Sequence, residues 1–122
     1  GCNGQLLAFL DRLFFSTMGS IDKTMKVGAA VISSRRAGST SASDEINKYF
    51  TISSMPIVAS TYWNEVHGFM ASDVERDKEG LQTMRNLGRN MAFLIKAIAL
   101  AKAQDGLPWQ EHDFFTSFLD EG

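Results

Sequence analysis

Residues 27–39 read VGAAVISSRRAGS, and this stretch decides how the rest of the chain is organised. Positions 27–32 are apolar without alternation, and the run is too short for a helix. Such a run bounded by turn residues reads as a strand covered on both faces. Strands of that kind belong to parallel sheets, in which a helix carries the chain back between neighbours. Two serines, two arginines and the small residues Ala37, Gly38 and Ser39 follow at once. The question they raise is why paired guanidinium groups stand between a buried strand and a run of tiny side chains.

Working outward, GQLLAFLDRLFFS (4–16) spaces Leu6, Leu7, Phe9, Leu10, Leu13 and Phe14 as one face of a helix over about 5–15. Gly19 and the polar residues after it make a loop. Downstream, SDEINKYFTI (43–52) reads as a second helix. Ser41 and Asp44 stand at capping-box spacing, and Asp44–Glu45 suits a helix N-terminus. MPIVAST (55–61) gives a second strand over 56–60, with Pro56 near its start, where a missing N–H costs least. The polar stretch 62–79 reads as a long loop. Residues 80–104 form the clearest helix, with Leu81, Met84, Leu87, Met91, Leu94, Ile95 and Ile98 on one face and Gly106 and Pro108 as its stop. Gly88 within it reads as a point of close approach to the sheet. The tail 109–122 mixes aromatic and acidic residues and reads as a docked extension.

The order is thus α-β-α-β-α, the pattern of a doubly wound α/β sheet. Two strands are marginal as a sheet. Strand 27–32 would also leave an apolar edge open, so further strands or a partner chain are expected.

The 122 residues suffice for one domain, 1–122, and their 44% apolar and 21% charged content is that of an ordinary globular protein. A formal charge of −2 offers no pull toward nucleic acid. No run of about 18 apolar residues predicts a membrane span. The opening residues lack the basic region and cleavage site of a secretory signal, and Cys2 is the single cysteine, so a cytoplasmic setting is expected. His67 and His112 have no metal-ligand spacing, and the acids Asp73, Glu75, Asp77 and Glu79 lack the glycine and spacing of a calcium loop, so no metal site is expected.

The segments NGQLLAFLDRLFF, VGAAVISSRRAG, INKYFTISSMPIVASTYWNEVHG and DKEGLQTMRNLGRNMAFLIKAI, in that order, resemble the second half of the flavodoxin-like NADPH-dependent FMN reductases. The resemblance covers roughly residues 2–103. It implies a five-stranded parallel sheet in which 27–32 is the fourth strand and 56–60 the fifth. It implies FMN as cofactor, NADPH as electron donor, a quinone, free flavin or similar small-molecule acceptor, and a homodimer or higher homo-oligomer. Against that pattern the chain is truncated at the N-terminus. The first three strands and the phosphate-binding loop have no counterpart in it, so a non-catalytic α/β fragment that dimerises through its strand edge stands as the alternative.

The candidate site follows from the two loops at the strand ends. Ser34, Arg35, Arg36, Ala37, Gly38 and Ser39 would let backbone N–H groups approach a flat ring, while an arginine stabilises the charge of a reduced flavin or grips a phosphate. The other reading is a pair of solvated arginines facing Asp44 or Glu45. Cys2, Asn3 and Gly4 open the first helix, and the resemblance places this loop beside the flavin; Asn3 also suits a helix cap. Tyr62 and Trp63 would stack near a cofactor or fill a subunit contact. The flavin carries the hydride chemistry, so no catalytic side chain is assigned.

Overall fold

The computed structural model describes residues 4–34, 39–68 and 70–117. Its elements are α1 (Gly4–Thr17), β1 (Ile32–Ser34), α2 (Ser39–Ile52), β2 (Glu65–His67), a single turn α3 (Ala71–Val74) and α4 (Lys78–Asp105). Strands β1 and β2 pair in parallel, Ile32 with Glu65, Ser33 with Val66 and Ser34 with His67. The chain is therefore α/β, with a small parallel sheet whose strands are joined through α2. α2 packs on β1, α4 on β2, and α1 on α2.

The strands lie later in the sequence than the apolar runs suggest. Residues 27–32 contribute a single parallel bridge, Gly28 with Ile57, before β1 begins. The run 56–60 likewise holds only that bridge, and the paired strand β2 falls in the polar stretch read as loop. Between the two pairings the first segment advances four residues and the second eight. The surplus is taken up by a detour through residues 59–64, which α4 fastens down. Ser60 Oγ donates to Thr83 O (2.6 Å), Asn86 Nδ2 to Thr61 Oγ1 (3.2 Å) and Asn90 Nδ2 to Ala59 O (2.9 Å). Positions 83, 86 and 90 share one helix face. Polar stapling of this kind has no apolar period for a sequence reading to detect.

α2 begins four residues earlier than its apolar pattern, at Ser39, so Ser41 and Asp44 lie inside the helix. It ends in a Schellman motif: Met55 N–H donates to Phe50 O and Ser54 N–H to Thr51 O, with Ser54 in the left-handed region (φ 59°). A serine held there is strained relative to glycine. Ser54→Gly is expected to stabilise the fold by about 1 kcal/mol, read as a rise in the thermal midpoint.

α4 has Asp77 as N-cap, and Gly106 (φ 76°) ends it as expected. Gly80, Thr83 and Leu87 are its buried positions. Gly88 has no atom within 4 Å of where a Cβ would lie, so the close approach read from the sequence does not occur there. The tail is not docked either: Trp109, Phe114 and Phe115 are 79%, 88% and 87% exposed.

The core is small. Ala30, Ala42, Val58, Val66 and Leu87 are its buried apolar residues, while Phe9, Val31, Ile52, Phe93 and Leu100 stand largely in solvent. The accessible surface is 9224 Å², against about 6,500 Å² for a monomer of this mass. The two sides of the sheet differ. β2's outer edge is sealed, because His67 N–H donates to Asp77 Oδ2 (2.8 Å) and Glu65 N–H to Trp63 O (2.7 Å). On the outer side of the extended segment that leads into β1 no backbone hydrogen bond reaches Ala29 or Val31 among the described residues.

Candidate functional site

In open parallel sheets ligands gather beyond the carboxyl ends of the strands. Ser34 and His67 pair with each other, so the two strands end level. β1 stops at Ser34 and α2 starts at Ser39. Arg35, Arg36, Ala37 and Gly38 themselves lie outside the described residues, as do Cys2 and Asn3. Gly4 is the first residue of α1 and has no neighbour within 4 Å of an added Cβ. α1 and α2 are held together by Tyr49, whose hydroxyl lies 2.7 Å from Asp11 Oδ1 and 3.3 Å from Leu7 O, and by Phe14 against Tyr49 and Phe50.

Tyr62 and Trp63 are where the structure corrects the sequence reading most. They precede β2 instead of following the last strand, and sit in the detour between the Gly28–Ile57 bridge and the β1–β2 ladder. Their rings touch, with centroids 5.0 Å apart and planes at 52°, and both are about half exposed. The detour and the first half of α2 enclose a cleft of about 420 Å³. Val58 and Ala30 are among its lining, together with Ser43, Asp44 and Asn47 from α2 and Asn64 from the detour.

Two features of this cleft escaped the sequence reading. Asn47 Oδ1 and Asn64 Oδ1 are buried without a hydrogen-bond partner among the described residues. A buried acceptor without a donor costs about 1–3 kcal/mol, and such groups commonly mark a partner not present. Ser43, Asp44 and Asn47 share a face by their three- and four-residue spacing, a signal that was legible. Nothing in the sequence placed Asn64 opposite them.

A search of curated proteins finds this chain 32% identical, over 105 aligned residues, to an iron-sulfur flavoprotein of Methanocaldococcus jannaschii. The match takes in 80% of this chain and 54% of the relative, so the chain spans about half the length of the curated relative it matches. No family profile matches the chain, and no solved structure matches it.

A second, smaller cluster lies at the sealed edge of β2. His67 Nε2 is 3.1 Å from Glu65 Oε1, and Asp77 accepts from the His67 and Gly80 N–H groups. Those two hydrogen bonds hold the Asp77 carboxyl below its ordinary value. The arrangement is structural: it joins the start of α4 to the sheet. Among the described residues no group of three or more His, Cys, Asp or Glu side chains is placed to hold a metal, and no helix is long and apolar enough to cross a membrane.

Proposed function

We propose that this chain is part of an FMN-dependent NAD(P)H oxidoreductase, in which FMN passes electrons from NADPH to a small-molecule acceptor. The similarity to a flavoprotein over 80% of the chain is the observation that carries this reading. The parallel sheet supports it, because strands ending level at Ser34 and His67 give a rim of the type where such cofactors sit. In this reading residues 1–122 form the second half of a flavodoxin-like domain, and further strands add along the open side of β1.

The cleft beside Tyr62 and Trp63 fits the ring end of FMN and not its phosphate. Its volume lies in the range of small-molecule sites, and the aromatic pair beside the polar side chains of Ser43 and Asn47 suits a flat, hydrogen-bonding ring. Among the described residues its one charged lining residue is Asp44, which repels phosphate. We assign the ring's pyrimidine edge to Ser34, Arg35, Arg36, Ala37, Gly38 and Ser39, its flank to Cys2, Asn3 and Gly4, and an aromatic wall to Tyr62 and Trp63. Bound flavin supplies the hydride and electron transfer, while these residues orient the ring and exclude water. The relative's name includes an iron–sulfur group. The single cysteine here is too few for four thiolate ligands, so this chain alone would not hold such a cluster.

The second reading is a non-catalytic fragment that binds a partner or a second copy through the β1 edge. The exposed Val31 and the surplus of accessible surface favour it. Titration of the purified chain with FMN, followed by flavin fluorescence, separates the two. The first reading expects saturable quenching, weakened at least tenfold in an Arg35→Ala/Arg36→Ala chain, a loss of about 1.4 kcal/mol or more. No quenching at millimolar FMN would leave the second.

A further inference from the structure

The open groove at the other end of α4 and the tail that leaves beside it are chemically matched. The groove has a volume of about 580 Å³. Val27, Ile95, Ile98 and Leu107 give it an apolar lining, and Lys26 and Lys102 give it positive charge. Asp22 is its one acid among the described residues; its carboxylate accepts from the Thr24 N–H at 3.0 Å, and the charges of Lys26 and Lys102 add to that hydrogen bond in holding it below its ordinary value, leaving one acid against two lysines. Neither lysine has a carboxylate within ion-pair distance among the described residues. The tail carries the complement: Trp109, Phe114 and Phe115 stand almost fully in solvent, interleaved with Glu111 and Asp113.

The tail does not fill its own groove. Leu107 lines the groove, but the chain then runs on to a different cleft, where His112 lies with Lys23, Ile52 and Ser54. From this arrangement we infer that the groove between α4 and residues 24–27 receives the aromatic–acidic tail of a second copy of this chain. A two-fold axis beside Leu107 brings each tail to the mouth of the other copy's groove. The seven steps from Leu107 to Phe114 reach roughly 23 Å when extended, enough to lie along it. The contact is then reciprocal and closes as a dimer without growing into a filament. Aromatic anchors in an apolar slot supply the affinity, and Glu111 and Asp113 against Lys26 and Lys102 supply the register. The inference does not depend on flavin binding.

Sedimentation velocity and tryptophan emission test it on the full chain. In a Trp63→Phe chain, Trp109 is the remaining indole. Its emission is expected to shift to the blue as concentration rises, with the same midpoint as dimerisation. Lys26→Glu/Lys102→Glu is expected to weaken the dimer at least tenfold. Adding Glu111→Lys/Asp113→Lys in the same chain is expected to restore it, a recovery that misfolding does not produce. In a Cys2→Ser background, Ala99→Cys and Phe114→Cys chains mixed together are expected to form a disulfide between chains. Three results would overturn the inference: water-exposed Trp109 emission at every concentration, a dimer indifferent to the charge reversal, or a doubly substituted chain that closes its disulfide within itself.

Discussion

Replacing Asp77 by alanine is expected to cost about 2 kcal/mol, as the sum of a lost helix cap and a lost strand-edge hydrogen bond. One carboxylate serves both: it accepts from Gly80 N–H at the start of α4 and from His67 N–H on β2. Gly80→Ala reaches the same result from the other side. A Cβ there would lie 2.7 Å from Asp77 Cγ and closer still to Oδ2, so the carboxylate has to leave both donors. Alanine's better helix propensity returns about 1 kcal/mol of that loss. The Asp77→Ala/Gly80→Ala chain should therefore be no less stable than Asp77→Ala alone, which thermal unfolding of the three variants checks. The pH dependence has a definite sign. Asp77 is held below the ordinary aspartate value of 3.8, so its contribution is present above that pH and is lost as pH falls through the depressed value. Asp77→Asn removes that titration, and its stability should fall less steeply than the parent's below about pH 4.

Gly28→Ala is the second large effect, at about 2 kcal/mol, rising further for Gly28→Val. Gly28 is buried where the two extended segments first meet, and a Cβ there would stand 2.8 Å from two ring atoms of Phe50. The ring has little room to retreat, because Phe50 stacks edge-on against Phe14, with centroids 6.4 Å apart, and Phe14 ties α1 to α2. The added methyl should therefore loosen α1 as well as the bridge, seen as earlier proteolysis within Gly4–Thr17. Phe50→Leu in the same chain should recover part of the loss, since it removes the atoms that the methyl meets. A Gly28→Ala chain as stable as the parent would show that the two segments are not held in this register.

The largest features of the fold were legible because they depend on local pattern. The helices around Leu7–Phe14 and Leu81–Ile98 follow from apolar period, and the stop at Gly106 from its backbone freedom. The parallel relation of two strands joined through a helix followed from the unbroken apolar run 27–32. The likeness to flavin enzymes rested on side-chain identities, and the chain is 32% identical to a flavoprotein over 105 residues.

Tertiary structure alone decided the register and the cleft. Pairing was carried by Ile32–Ser34 and Glu65–His67, and not by the most apolar residues, because backbone hydrogen bonds and the Asp77 seal chose the strand where hydropathy was silent. The detour that brings Tyr62, Trp63 and Asn64 against Asp44 and Asn47 exists because α4 grips residues 59–61 through the Asn86 and Asn90 side chains and the Thr83 carbonyl. Hydrogen bonds between positions more than twenty residues apart leave no periodic trace along the chain. Only folding brings those positions within 3 Å or so of one another.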